Sequence, residues 1–323
     1  MTATATELAA IHAELRTPSA IALATLVAVT GSSYRRPGAR LLVHSDGRTV
    51  GNLTGGCLDQ EIVEAAAEVH RDQQAKVVTF DLTGDDEAIL GWGMGCNGIL
   101  HILIEPISPA LDFLDDVVRF RRTTTVHTVI AGPPETIGRR WWAEAFVGDV
   151  AVFTEVMVPQ PRVVICGAGD DVPPLARVAD IQGWETFVVD ERRLLLDPAR
   201  FPDTTRLVRP EPGWQLIVDS ESYVVVMTHN FLKDSEYLKA ALATSARYIG
   251  VLGPQRRLQR LLSFLHAEGV DERLRGPAGL DLGGQGPNEI ALEIAADILR
   301  TSGGRGRCPR QDHHTRSTDS QPL

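Results

Sequence analysis

A turn of two glycines and a cysteine, Gly55-Gly56-Cys57, stands directly before a segment with the apolar spacing of a helix. Backbone N–H groups at the start of a helix have no partner inside it, and the helix dipole favours negative charge there. Such a turn can hold an anion, and the same setting favours the thiolate of Cys57, which is a nucleophile and a metal ligand. A tight turn around a small buried cysteine would give the same pattern, so the turn alone leaves both interpretations open.

Two further features of the first hundred residues could also bind a ligand. A polar loop contains Arg35, Arg36 and Arg40, and guanidinium groups bind phosphate or carboxylate through paired hydrogen bonds. A solvated loop would look the same. Another glycine-dense turn, residues 91–98, contains Cys96. Because glycine lets a backbone approach another group closely, several such turns in one compact domain favour a ligand over packing alone.

A glycine turn of a different kind stands in the second half of the chain. A short apolar run precedes Gly167 and Gly169, and a helical segment and a second apolar run lead from them to Asp190. This order is typical of a Rossmann βαβ unit, in which the helix start holds a phosphate and the acid holds ribose hydroxyls. Val172 replaces the third glycine of that fingerprint, and two aspartates follow Gly169. The pattern predicts a Rossmann-like domain and leaves open whether NAD(P) or another nucleotide binds.

His229 lies just after an apolar run, residues 223–227, that predicts a central parallel strand. Ligands of open α/β sheets bind at the carboxyl ends of the strands, so His229 is a candidate ligand contact or proton donor. A hydrogen-bonded structural histidine would fit the position equally well. Two alternatives follow for this half: an NAD(P)-dependent oxidoreductase that uses His229 as its acid or base, and a nucleotide-sensing module without catalysis.

The elements that must position these residues divide the chain into four segments. Residues 1–107 alternate short strands and helices, which predicts an α+β domain, and residues 108–160 read as a connecting helix and strands. Residues 161–300 carry the Rossmann-like pattern of a parallel sheet. Residues 301–323 are rich in Gly, Arg, Ser and Asp, which predicts a disordered tail. The predicted fold class is therefore α/β with two domains.

The composition of the chain limits its possible binding partners and its cellular location. The 323 residues carry a net charge of −10, which argues against a nucleic-acid or anionic-membrane partner. The longest apolar run near the N-terminus, residues 20–29, is too short to span a bilayer, and no basic segment precedes an apolar core as in a signal peptide. The four cysteines form no CxxC pair. A reducing cytoplasm is the predicted location.

Several ordered blocks of the sequence resemble the XdhC/CoxI family of xanthine dehydrogenase accessory factors. The resemblance covers about residues 19–106 and 160–300. Its blocks are GSSYRRPGARLLVHSDGRTVGNLTGGCLDQEIVEAA, GMGCNGILHILIEP, the GAG turn, YVVVMTHN, RYIGVLGPQRR and GLDLGGQGPNEIALEIAADIL. Asp170 stands where the family often has a histidine, and Asn97 replaces a glycine of the second block.

The resemblance implies a maturation factor, a cofactor chaperone rather than a turnover enzyme. Such a protein binds the molybdenum cofactor (molybdopterin), holds it while its terminal sulfur is installed, and passes it to an apo molybdenum hydroxylase of the xanthine dehydrogenase type. A cysteine desulfurase is the sulfur donor that the resemblance implies. A homodimer is expected, because it is the commonest closed assembly.

The resemblance also implies which residues face the cofactor. In the first domain they are Arg40, Gly55, Gly56, Cys57 and Cys96, with Cys57 as the candidate ligand of molybdenum. In the second domain the Rossmann site contains Gly167, Gly169 and Asp190, with His229 beside them. The pterin of the cofactor carries a phosphate, which suits helix N-termini and arginines, and its metal accepts thiolate or oxygen contacts. Whether Cys57 contacts the metal, accepts sulfur or only packs is left open.

Overall fold

The computed structural model describes residues 5–83, 98–142, 150–211, 213–267 and 271–302. Cys96 and the other residues of its glycine turn before Gly98 fall outside these ranges. So does the predicted disordered tail from residue 303 onward. The predictions made for those residues stay predictions. Residues 301 and 302, which were predicted to begin that tail, belong instead to the last described helix, Pro287–Ser302.

The first domain is a five-stranded antiparallel sheet in the order β3-β2-β1-β5-β4. Its elements are α1 (Ala5–Glu14), β1 (Ala20–Gly31), β2 (Arg40–His44), β3 (Thr49–Gly51), α2 (Asp59–Asp72), β4 (Lys76–Asp81) and β5 (Gly98–Pro106). The central strand β1 is buried on both sides, because Ala22 and Ala24 pack toward α2 while Leu23 packs toward α1. Small side chains on the α2 side let that helix lie close to the sheet.

The region predicted as a connection forms a second, small sheet. Its elements are α3 (Phe113–Val118), β6 (Thr124–Ala131), β7 (Arg140–Trp141) and β8 (Ala151–Met157), and the three strands are antiparallel in the order β7-β6-β8. Strand β7 is only two residues long and follows a 3-10 turn at residues 134–136. The ring of Phe113 packs into the same core as α1, so the region is continuous with the first domain.

The second domain is a six-stranded parallel sheet in the order β11-β10-β9-β12-β13-β14, which confirms the predicted Rossmann-like fold. Its elements are β9 (Arg162–Cys166), α4 (Val172–Ile181), β10 (Glu185–Val189), β11 (Arg206–Val208), β12 (Ser222–Val226), α5 (Phe231–Leu242), β13 (Tyr248–Val251), α6 (Gln255–Phe264), β14 (Leu274–Arg275) and α7 (Pro287–Ser302). The direction of strand addition reverses between β9 and β12. Open α/β sheets bind ligands beyond the carboxyl ends of the strands at such a reversal.

Helices cover both faces of the parallel sheet, as its apolar strands require. Helices α4 and α7 pack on one face and α5 and α6 on the other. Within the described residues, none of the helices combines the length and the apolar composition that crossing a membrane demands.

Candidate functional site

Three loops that the sequence singles out meet at one end of the first sheet. Tyr34 of the arginine loop lies against Gly55, where an added Cβ atom would be 3.4 Å from Cδ1 of the ring. A Cβ atom on Gly98, the first residue of β5, would lie 2.6 Å from the carbonyl oxygens of Thr30 and Ser32. The structure therefore brings together the arginine loop, the glycine-cysteine turn and the start of β5, although these are far apart in the sequence.

The glycine-cysteine turn presents backbone donors. Gly55 and Gly56 have φ angles of +74° and +102°, which L side chains rarely adopt. The N–H of Gly55 donates to Asn52 Oδ1 at 2.9 Å. Among the described residues, no acceptor receives the N–H of Gly56 or that of Cys57, and a Cβ on Gly56 would meet nothing within 4 Å. The turn thus offers two donors beside open space, as an anion or an oxygen ligand needs.

Cys57 follows these donors at the entrance to α2. Its thiol is half-buried and donates to the carbonyl oxygen of Thr54 at 3.3 Å. Cys166, the other cysteine of the described residues, is completely buried at the end of β9, and burial raises the pKa of its thiol, with the nearby Asp234 carboxylate adding to the effect. Only Cys57 of these two is therefore placed for contact with a ligand.

Arg40 does not face this site. Its side chain is 2% exposed, donates to the carbonyl oxygen of Gly38 at 3.1 Å and forms an ion pair with Glu155. Its guanidinium carbon lies 5.7 Å from the centre of the Phe113 ring. The expectation of a ligand-facing Arg40 therefore does not fit the structure, because the guanidinium is enclosed between the first domain and the small sheet.

The other two arginines of the loop differ from each other. Arg35 is buried and donates two hydrogen bonds of 2.7 Å to the carboxylate of Glu7 on α1. Arg36 is exposed. Arg35 thus anchors the loop to α1, whereas Arg36 lies on the surface.

In the second domain, Gly167 lets two strand ends approach each other. Its φ angle is +126°, and an added Cβ atom would lie 2.5 Å from the carbonyl oxygen of Met227, at the end of β12. A Cβ atom on Gly169 would lie 2.8 Å from Asp171 Oδ1 and 3.5 Å from the ring of His229. These predicted site residues are therefore brought together at the reversal of the strand order.

Asp190 holds the same turn from the other side. Its Oδ2 accepts from the N–H of Ala168 at 2.8 Å, and its Oδ1 accepts from the N–H of Arg192 at 2.8 Å. The guanidinium of Arg192 donates to both oxygens, at 2.9 and 2.7 Å. Burial opposes ionisation of Asp190, but these hydrogen bonds and the charge of Arg192 outweigh it and hold its pKa below the usual value. Both oxygens are occupied, so the carboxylate is not free for the ribose hydroxyls predicted from the sequence.

His229 lies beyond β12 with a φ angle of +60°. Its Nε2 is 2.7 Å from Asp171 Oδ2, and its side chain is 60% exposed. Asp171 precedes α4, and its other oxygen is buried without a partner among the described residues. The pair crosses the space between the ends of β9 and β12, so a carboxylate stands where a Rossmann domain would place a phosphate.

Two residues of these sites were missed from the sequence. Asp234 is 1% exposed and accepts from the hydroxyl of Thr228 at 2.6 Å and from Arg257 Nη2 at 2.6 Å, which fixes the loop that carries His229. An acid at an inward position of the segment that forms α5 is the signal that would have found it. The second residue is Tyr34, an exposed aromatic side chain in a polar loop.

The fold and these sites define a two-domain α/β protein with a glycine-cysteine turn in the first domain and a Rossmann-like second domain. Residues 15–81 match a family model described as the XdhC and CoxI family, and residues 163–298 match one described as the XdhC Rossmann domain. The chain belongs to the XdhC and CoxI family.

Individual relatives agree with this membership. A protein of Bacillus subtilis (strain 168) named as a probable xanthine dehydrogenase subunit is 29% identical over 86% of this chain and 92% of the relative. The molybdenum cofactor insertion chaperone PaoD of Escherichia coli (strain K12) is 23% identical over 85% of this chain and 81% of that protein. A crystal structure described as a xanthine dehydrogenase from Bacillus halodurans has a TM-score of 0.77 and 29% identity, and covers 96% of this chain and 98% of its own.

Proposed function

We propose that this protein is an accessory factor that binds the molybdenum cofactor as cargo and serves the maturation of a xanthine dehydrogenase-type enzyme. The observation that carries the proposal is the turn at Gly55-Gly56-Cys57, where two N–H donors without an acceptor among the described residues stand beside a half-buried thiol. The turn lies within residues 15–81, which match the XdhC and CoxI family. A relative named as a molybdenum cofactor insertion chaperone supports this cargo, and another whose name refers to xanthine dehydrogenase supports this recipient.

The donor set suits such a cargo. The pterin part carries a phosphate, and open backbone N–H groups at a helix start bind phosphate oxygens. A thiolate is a soft ligand of the kind that molybdenum accepts. The residues of the turn would therefore bind the cargo at both its anionic end and its metal, with Cys57 as the metal contact.

The finer parts of the proposal concern partners and location. The recipient is an apo molybdenum hydroxylase, and a cysteine desulfurase supplies the sulfur that is installed while the cargo is held. The protein acts as a homodimer in the cytoplasm, where a reducing environment suits the two free cysteines of the described residues. Co-purification with a tagged desulfurase and light scattering of the purified protein test the sulfur donor and the dimer.

Cofactor retention tests the central proposal. The purified protein is mixed with molybdenum cofactor under anoxic conditions and passed through a sizing column, and molybdenum and pterin are assayed in the protein peak. We expect stoichiometric co-elution that Cys57→Ala weakens at least about tenfold, a loss of roughly 1.4 kcal/mol of binding energy. Cys166→Ala is the matched control, because it removes a thiol that is completely buried in the other domain.

Two outcomes would contradict the proposal. If the wild-type protein elutes without molybdenum or pterin, the proposal that it binds the molybdenum cofactor is wrong. Equal retention by wild type and Cys57→Ala, at matched melting temperatures, would support binding of the cargo but contradict the role of Cys57 as its ligand.

Binding of NAD(P) in the second domain is the weaker candidate. The strand order and the glycine turn favour a nucleotide-like ligand, but Asp190 is engaged by Ala168 and Arg192, and Asp171 stands at the start of α4. An oxidoreductase with His229 as its acid or base would oxidise or reduce a nicotinamide cofactor. Absence of any change in NADPH absorbance and fluorescence on mixing would remove that alternative.

A further inference from the structure

Tyr34 is exposed, unlike the other tyrosines of the chain. It is 58% exposed, whereas Tyr223 and Tyr248 are at most 1% exposed and Tyr237 is only partly exposed. An exposed tyrosine in a polar loop keeps its apolar ring available for contact with a ligand.

One face of the Tyr34 ring is covered by Gly55. A Cβ atom on Gly55 would lie 3.4 Å from Cδ1 and 3.6 Å from both Cγ and Cε1. An approach in the plane of the ring would leave the two flanking carbons clearly farther away than Cδ1. The near-equal distances therefore place Gly55 over the face of the ring, while more than half of the residue stays exposed.

The loop that carries this ring is anchored next to it. Arg35 is 7% exposed and donates two hydrogen bonds of 2.7 Å to Glu7. Farther along the loop, the N–H of Gly38 donates to the carbonyl oxygen of Leu26 at 2.7 Å. The loop that carries Tyr34 is thus anchored by these contacts, which lowers the entropy cost of ordering the loop when a ligand binds to the ring.

The exposed ring stands beside the open donors of the glycine-cysteine turn. A ligand that reaches both must have a flat aromatic part and an anionic part. Stacking of a nucleobase-like ring on an aromatic side chain contributes about 1–3 kcal/mol, and open N–H groups at a helix start hold phosphate. The phosphorylated pterin of the proposed cargo has both parts.

We infer that Tyr34 stacks on the pterin ring of the cargo and so selects a flat heteroaromatic ligand at this turn. The inference rests on the proposed function, because it names a binding residue for the same cargo. The ring face supplies the contact, and the tyrosine hydroxyl is not required. Tyr34 therefore discriminates a pterin from a phosphate compound that lacks an aromatic ring.

Retention on the sizing column tests this contact with four proteins: wild type, Tyr34→Phe, Tyr34→Ala and Phe120→Ala. The phenylalanine variant keeps the ring, and Phe120 is a matched control because it is 54% exposed and lies outside the turn. We expect Tyr34→Ala to retain the cargo about tenfold less than the other three, in the range of a single stacking contact. Equal retention by Tyr34→Ala and wild type would overturn the inference and leave the proposed function standing.

A metal-free probe separates the ring from the rest of the cargo. Pterin fluorescence is followed while 6-carboxypterin, a ring with one anionic group, is titrated with each protein. We expect quenching by wild type and Tyr34→Phe and none by Tyr34→Ala. Quenching of equal strength by Tyr34→Ala would overturn the inference, whereas wild-type protein that binds neither probe nor cofactor would overturn the proposed function with it.

Discussion

Asp170 and Asp171 are neighbours in the chain with opposite surroundings. The side chain of Asp170 is 100% exposed and that of Asp171 is 13% exposed. Asp171 stands before α4 with His229 on one oxygen and no described partner on the other. A largely buried carboxylate is costly unless dipoles and hydrogen bonds stabilise it, and here the positive end of the helix and the hydrogen bond with His229 do so.

This difference predicts a specific gain of anion binding. Asp171→Asn should raise the affinity for ADP-ribose about tenfold, because it removes a negative charge from the place where the helix start favours a phosphate. Asp170→Asn removes the same unit charge one residue earlier and should change the affinity less than about twofold, since exposed charges are screened. Titration calorimetry measures both. An equal gain in the two variants would show that overall charge, and not the occupied helix start, limits binding.

At the scale of elements, the central parallel strands β9, β10 and β12 were predicted from the sequence, because each is almost wholly buried and reads as a continuous apolar run. The edge strands β11 and β14 were not predicted, because they are short and only partly buried. The glycine turns were predicted for the same kind of local reason. The burial of Arg40 in an ion pair could not be predicted, because its partner Glu155 is 115 residues away and belongs to a strand of another sheet. Asp190 was placed correctly at a strand end, but its hydrogen bonds depend on a loop that only the folded sheet brings near.

Two glycines at the starts of helices predict different costs of an added methyl group. Gly56→Ala places the methyl in open space and should cost about 1–2 kcal/mol of the free energy of unfolding, from backbone strain alone. Gly167→Ala adds a contact of 2.5 Å with the carbonyl oxygen of Met227 and should cost about 2 kcal/mol more. Urea unfolding with constant m-values measures the difference. Equal losses would mean that β9 and β12 separate easily at this point.

At the scale of the whole molecule, buried ion pairs join the first domain to the small sheet. Arg140 of β7 pairs with Glu105 of β5, with Nη1 at 2.8 Å from Oε1, and both side chains are at most 5% exposed. Arg140 and Arg40 lie 4.6 and 5.7 Å from the ring centre of Phe113. The region predicted as a connection is therefore part of the core. The sequence did not reveal this, because each charge taken alone resembles a solvated one.

Loss of one partner in this core should be severe. Glu105→Gln leaves the Arg140 guanidinium buried without a countercharge, so we expect a loss of about 3–5 kcal/mol in the free energy of unfolding. Glu68→Gln is the control, because its ion pair with Lys76 is on the surface and should leave Tm unchanged within error. Thermal unfolding compares the two variants. A Tm for Glu105→Gln as high as that of the control would show that the buried pair contributes little.

Under the proposed function, the ion pair between Arg35 and Glu7 would affect the kinetics of cargo release. Glu7 belongs to the first helix and is 22% exposed, whereas Arg35 is nearly enclosed and lies next to Tyr34. A charged side chain of another protein that competes for Arg35 or Glu7 would loosen the loop that carries Tyr34 without contacting the cargo. The residence time of the cofactor would then shorten while its rate of capture stays the same. Under the proposed function, the first helix is thus a place from which a recipient enzyme would hasten unloading.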